Sequence, residues 1–347
     1  MIKPKALQKG DTVAIVSLSS GMGGDSIFRY RYLIGKQRLE NQFGLKVVTM
    51  PNALMGSNYL NNHPEKRAED LMKAFKDPNI KAVFCMIGGD DTIRLLPYID
   101  YEIIKNNPKI FMGYSDTTVN HFMMYKAGLV SFHGPCILVE FAENRRMHEY
   151  TIQSIYQTLF NHTNYIDINS SPVWTSEFLD WSNEKNQTIQ RALKKETHGY
   201  EILQGNGIVQ GRLLGGCLGV FKMIIGTEIW PNANEWQDKI LFLETGEDYP
   251  SPEEVCYFLR NLVAQGIIKQ LKGILVGKPL DERYYEEYKS VYRMVIGKEA
   301  ECPHIPILYN VNCSHTSPVC ILPYGVMVQI DCENKSFAII ENPVNID

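Results

Sequence analysis

The chain has 347 residues, 44% of them hydrophobic and 21% charged, and carries a formal net charge of −4 at pH 7. That is room for two ordinary domains or one large one, and the composition excludes extended disorder and fibrous structure. With 35 basic against 39 acidic residues and no apolar stretch near the roughly 18 residues of a bilayer span, neither a nucleic-acid polymer nor a membrane is an expected partner.

Residues 11–18 read as a first strand. Its apolar run is too short for a secretory leader, so the chain is expected in the cytoplasm. A helix over 27–43 stops at Gly44, a strand follows at 45–50, and a helix over 66–75 starts after Pro64. Strand 81–87 runs into Gly88-Gly89-Asp90-Asp91, and a helix that begins at 92–96 is interrupted by Pro97. Strand 109–112 and helix 117–126, stopped by Gly128, complete this half. Nearly continuous apolar strands alternating with helices predict an α/β fold with a parallel sheet covered on both faces. Ligands of such folds bind beyond the carboxyl ends of the strands, where the glycine loop and Ser115 fall.

Residues 167–198 have few aliphatics, no clean period and two tryptophans, Trp174 and Trp181. They read as a long connection or lid, which divides the chain into 1–165, a linker at 166–206, and a second α/β domain at 207–347. In that second part, 211–220 reads as a turn followed by a helix, and 239–243 as a strand ending at Glu244. Residues 252–264 form a helix with Ser251 as N-cap, Pro252 at its first position and Glu254 at the capping-box offset. A strand at 273–276, a Tyr-rich helix at 282–294, a strand at 305–311 and a hairpin of 326–330 with 336–340 follow. Eight cysteines are scattered without CxxC spacing and read as small buried hydrophobes; Cys313 stands apart because it neighbours His315.

Gly113-Tyr114-Ser115-Asp116-Thr117 places a serine between a strand and a helix. That turn can project a hydroxyl over the sheet edge and aim free N–H groups at one point, as an amide hydrolase needs; equally, Ser115 or Asp116 can simply cap the helix. Gly88-Gly89 allows close backbone approach, either to supply an oxyanion donor from Gly89 or only to make a tight turn with Asp90 or Asp91 capping the next helix. Of eight histidines, His121 lies within a helix and reads as packing, and His133 sits in a turn where it can bind or orient. His315 is in a loop between a strand end and a proline-ended turn, well placed for a site. Glu244, held at a strand end, is the best carboxylate to orient an imidazole. Glu247 and Asp248 alone read as a solvated turn, and neither zinc nor EF-hand spacing is present. Trp174 and Trp181 either anchor the middle segment or close over a flat ligand.

Taken in order, Gly88-Gly89-Asp90, Gly113-Tyr114-Ser115-Asp116, His133-Gly134-Pro135, Gly215-Gly216, Leu243-Glu244-Thr245, His315-Thr316 with Pro318, and Pro323-Tyr324-Gly325 resemble the LD-carboxypeptidase family of serine peptidases over nearly the full length. The resemblance implies a flavodoxin-like N-terminal domain, a smaller swivelling C-terminal α/β domain, a homodimer, and no metal or other cofactor. It implies Ser115 as nucleophile, Glu244 as orienting carboxylate and His315 as base, with the N–H groups of Gly89 and Asp116 as oxyanion donors. Gly88, Asp90, His133, Trp174, Trp181 and Glu247 are then expected to contact a small peptide or peptidyl-nucleotide substrate. One branch of the family releases terminal D-alanine from murein tetrapeptides. The other cleaves the amide joining a peptidyl aspartate to a nucleotide, as in microcin C self-immunity. The wording around Glu244, the length and the long middle segment favour the second, with Trp181 ahead of Trp174 as the residue that stacks on the base. The chain departs from the family's usual wording at Tyr200, Cys313 and Ser314.

Overall fold

In the computed structural model, which describes residues 1–160 and 163–345, the apolar runs of the first half become enclosed strands linked by helices. In chain order these are β1 (Thr12–Val16), α1 (Arg29–Asn41), β2 (Lys46–Thr49), α2 (Ser57–Asn62), α3 (Pro64–Lys76), β3 (Ile80–Cys85), α4 (Tyr101–Asn106), β4 (Ile110–Gly113), α5 (Thr118–Lys126), β5 (Phe132–His133) and α6 (Glu149–Ile155). The strands pair in parallel in the order β2-β1-β3-β4-β5. Parallel neighbours require crossover connections, which the helices supply. Phe84 on β3 and Phe111 on β4 are fully enclosed in the resulting core. The carboxyl ends of β1, β3 and β4 share one edge, where Ser20 N–H donates to Gly88 C=O at 3.1 Å. Residues 92–98, expected to start a helix broken by Pro97, form a 3-10 turn that contains the proline.

The middle segment carries β6 (Ile166–Ile168), β7 (Val173–Trp174), β8 (Lys194–Lys195) and β9 (Glu201–Gln204). Beyond it come β10 (Ile208–Cys217), α7 (Leu218–Ile224), β11 (Lys239–Glu244), α8 (Pro252–Ala264), β12 (Gly273–Gly277), α9 (Tyr285–Tyr292), β13 (Ile307–Val311), β14 (Leu322–Pro323), β15 (Met327–Asp331) and β16 (Ser336–Ile339). A second sheet runs in the order β6-β16-β15-β10-β11-β12-β13-β9, with β10 to β13 parallel. The chain is thus an α/β protein of two domains, stitched at the seams. β6 and β9, within the expected linker, are edge strands of the second sheet, and β14 returns to pair antiparallel with β5 in the first. Among the described residues no helix is long and apolar enough to cross a membrane.

The stretch 211–220, expected to be a turn followed by a helix, differs in its first part: residues 211–217 continue strand β10, and the helix, α7, starts at Leu218. Their glycines mark crowding: a Cβ on Gly215 would lie 1.9 Å from the Phe242 carbonyl oxygen of the neighbouring strand. Gly216, at φ +146°, would put one 2.4 Å from the side chain of Thr118 on α5. The double glycine therefore lets the second sheet press against the helix that follows Ser115.

Arg31 fixes the middle segment to the first domain. Its buried guanidinium donates to Leu138 O (2.9 Å), Ala142 O (2.8 Å), Asn144 Oδ1 (3.0 Å) and Gln187 Oε1 (2.9 Å), and lies 4.1 Å from the Trp181 ring. Burial lowers its pKa to about 10, so it stays charged at neutral pH. Arg31→Met strands these acceptors, and the free energy of unfolding in urea is expected to fall by about 3 kcal/mol.

Candidate active site

Tyr114 leaves β4 in an extended conformation, and Ser115 then takes φ +62°. A left-handed serine is strained and persists only where its surroundings hold it. Several neighbours do so. The buried Asp116 carboxylate accepts from Ser19 Oγ at 2.6 Å and from Thr92 N–H at 2.9 Å, tying the turn to the β1 and β3 loops. Burial raises the pKa of this carboxyl above the ordinary value. His121 bridges the Gly113 carbonyl and Ser131 Oγ, each at 2.9 Å, and burial drops its pKa to about 3. It is a neutral strut, as its place within a helix implied.

The glycine loop fits against the serine. A Cβ on Gly88 would stand 2.8 Å from Ser115 Cβ, 3.1 Å from its Oγ and 3.4 Å from Asp116 N; one on Gly89, at φ +150°, would meet Ser19 Oγ at 2.2 Å. No larger residue fits at either position without moving the turn. Gly88→Ala is expected to cost about 10²-fold in kcat with KM little changed, since a shift of about 1 Å at a reacting atom is worth that much. Steady-state kinetics beside circular dichroism checks it.

The other two residues come from the second sheet. Glu244 ends β11 and is 1% exposed; His315 follows β13, and its Nδ1 lies 2.9 Å from Glu244 Oε2. The His315 ring meets Tyr114, the neighbour of Ser115, edge-on at 5.1 Å between centroids. Burial opposes charge on both partners, but the attraction between them wins. The Glu244 carboxylate, helped by its hydrogen bond and by Glu247 and Glu140, holds the His315 pKa up at about 9, while Glu244 sits below the ordinary glutamate value. Among the described residues no hydrogen bond joins Ser115 Oγ to His315. Such links are often loose in unliganded sites and tighten on substrate binding.

The expected contact residues divide. Gly88 and Gly89 line the turn, and Asp90 and Glu247 are solvent-exposed. His133 corrects an expectation: it is 1% exposed, and its Nε2 lies 2.9 Å from the Cys313 carbonyl, so it orients the His315 loop from behind. Trp174 is also enclosed at 3% exposure, with the Lys194 and Lys278 ammonium groups 4.4 and 4.3 Å from its ring. Trp181 remains partly exposed, between Arg31 and Phe178. Sequence reasoning missed Glu140, a buried carboxyl that accepts from Tyr114 Oη at 3.2 Å and Cys136 N–H at 2.9 Å. Its signal was a lone acidic residue inside the apolar run 136–142.

Residues 13–134 match the model of the LD-carboxypeptidase N-terminal domain, and residues 210–330 match that of the C-terminal domain. The chain is 29% identical over 341 residues to the microcin C7 self-immunity protein MccF of Escherichia coli, covering 96% of this chain and 94% of that one. It is 38% identical over 272 residues to the murein tetrapeptide carboxypeptidase of Pseudomonas aeruginosa, covering 77% and 78%. The crystal structure of an MccF-like protein from Streptococcus pneumoniae, in complex with AMP, superposes with a TM-score of 0.87 at 34% identity, covering 96% of this chain and 99% of that one. The chain belongs to the LD-carboxypeptidase family, within its MccF-like branch.

Proposed function

We propose that Ser115, His315 and Glu244 form a catalytic triad that cleaves the amide between a C-terminal aspartyl or similar aminoacyl group and a nucleotide. The observation that carries this is the His315–Glu244 pair, 2.9 Å apart, packed on the residue that precedes a left-handed serine. Neutral His315 takes the Ser115 proton through Nε2 while its Nδ1–H stays on Glu244. The alkoxide attacks the amide carbonyl, and the N–H groups of Gly89 and Asp116 receive the oxyanion. The imidazolium then protonates the leaving amine, and water releases the acyl group by the reverse path. We also read the strand order 2-1-3-4-5 as flavodoxin-like.

AMP in the pneumococcal relative and the end-to-end match to MccF support the nucleotide substrate. The identity to the murein enzyme supports the rival, release of terminal D-alanine from a murein tetrapeptide. Rates on a peptidyl-aspartyl sulfamoyl nucleoside and on a murein tetrapeptide, measured side by side, decide between them; faster D-alanine release favours the rival. In the first case Trp181→Ala is expected to raise KM about tenfold for the nucleoside substrate with kcat little changed, the size of one base–aromatic stack. Unaltered KM would remove Trp181 from the substrate site.

A further inference from the structure

Lys278 is the first residue after β12, and its side chain is wholly enclosed. A buried ammonium is costly unless paired. Here Nζ donates to Glu282 Oε1 at 2.6 Å, Glu196 Oε2 at 3.0 Å and Asn310 Oδ1 at 3.3 Å, and lies 4.3 Å from the Trp174 ring. Glu196 is itself fixed, accepting from His198 N–H at 2.8 Å and Gly199 N–H at 3.2 Å. Glu196 and Trp174 both belong to the middle segment, so one cation gathers two of its points. The remaining charged or titratable neighbours are His198, 3.9 Å from Glu282, Lys194 on the same indole, and the Tyr285 ring 5.8 Å from Nζ.

The main chain of the same residue braces the loop that carries His315. Lys278 N–H donates to Val311 O at 2.8 Å, its carbonyl accepts from Ser314 Oγ, and the Pro279 carbonyl accepts from Thr316 Oγ1 at 3.4 Å. At Gly277, just before it, a Cβ would lie 2.9 Å from Glu244 Cβ and 3.0 Å from Ser314 Cβ. The middle segment also touches the loop directly. Thr175 and Ser317 exchange backbone hydrogen bonds of 2.8 and 3.0 Å, and Ser171 N–H donates to Asn312 Oδ1 at 3.0 Å.

We propose that Lys278 is a positioning residue that couples the seating of the middle segment to the alignment of His315 with Glu244. Its ammonium holds the segment while its backbone holds the base loop, so displacement of one is felt by the other. The proposal rests on His315 being the general base, and it adds that the segment over residues 171–199 governs the base as well as any ligand.

The test is Lys278→Met combined with Glu196→Gln, which removes the cation without stranding the carboxylate it pairs with most deeply. The expected signature is a kcat lower by about tenfold with KM within about twofold. The His315 pKa, read by NMR, falls from about 9 towards the unperturbed 6.5, and amide exchange at 312–316 quickens. Ser314→Ala, which cuts the link at its other end and leaves the ammonium paired, must give the same signature. Unchanged His315 titration and exchange in that variant overturn the proposal, even if the double variant fails to fold. Wild-type protein that hydrolyses neither test substrate overturns the amide-hydrolase reading instead, while His315 titration and exchange still decide the coupling.

Discussion

Replacing Ser115 with alanine is expected to lower kcat by at least about 10⁴-fold and to leave the melting temperature nearly where it was. The size follows from the loss of the proposed nucleophile, after which only substrate binding and the proposed oxyanion donors would assist attack by water. The intact fold follows from the structure. Ser115 Oγ makes no hydrogen bond among the described residues, and alanine tolerates φ +62° about as poorly as serine does. The strain is already present in the wild type and is held by Asp116, Ser19 and Thr92. Thermal denaturation beside kinetics separates the two effects, and a variant that unfolds early would show that the hydroxyl has a structural role.

Glu244→Gln is expected to cost about 10⁴-fold in kcat, because an amide in that position permits the wrong imidazole tautomer and no longer balances the imidazolium formed in the reaction. It also changes the pH profile. In the wild type kcat/KM should climb with pH through about 9 as His315 loses its proton; in the variant the limb should move down towards 6.5. The pair also links stability to pH. The raised histidine pKa contributes stability that is complete below about 6.5 and lost as pH rises through about 9. The lowered glutamate pKa contributes stability present above 4.5 and lost as pH falls through its folded value. The stability gap between wild type and Glu244→Gln should therefore be widest between 4.5 and 6.5 and close on either side.

Local signals carried much of this far. Helix α8 begins where Ser251, Pro252 and Glu254 predict, because its capping box forms within four consecutive residues. The apolar runs at β1, β3 and β4 are legible for a similar reason: a strand covered on both faces has no polar side to disguise it. What escaped is non-local. The glycines of β10 serve an approach to Phe242 and Thr118 that only the assembled fold creates, so they looked like a turn. The middle segment has no period of its own because its order comes from elsewhere: Arg31 on α1, Lys278 after β12, and Ser317 beyond His315. At the candidate site, Ser115, Glu244 and His315 were conspicuous because each stands at a strand end or in the loop beyond one. His133 and Trp174 were conspicuous too, but their partners, the Cys313 carbonyl and two lysines, are distant in sequence and turn them inward.

The proposed acyl transfer draws on both halves of the chain, and mass mapping of a serine-directed fluorophosphonate is its sharpest check. A single adduct on Ser115 is expected in the wild type, with much slower labelling after His315→Ala and none after Ser115→Ala. An adduct on another residue, or labelling of Ser115 that is indifferent to His315, would contradict it.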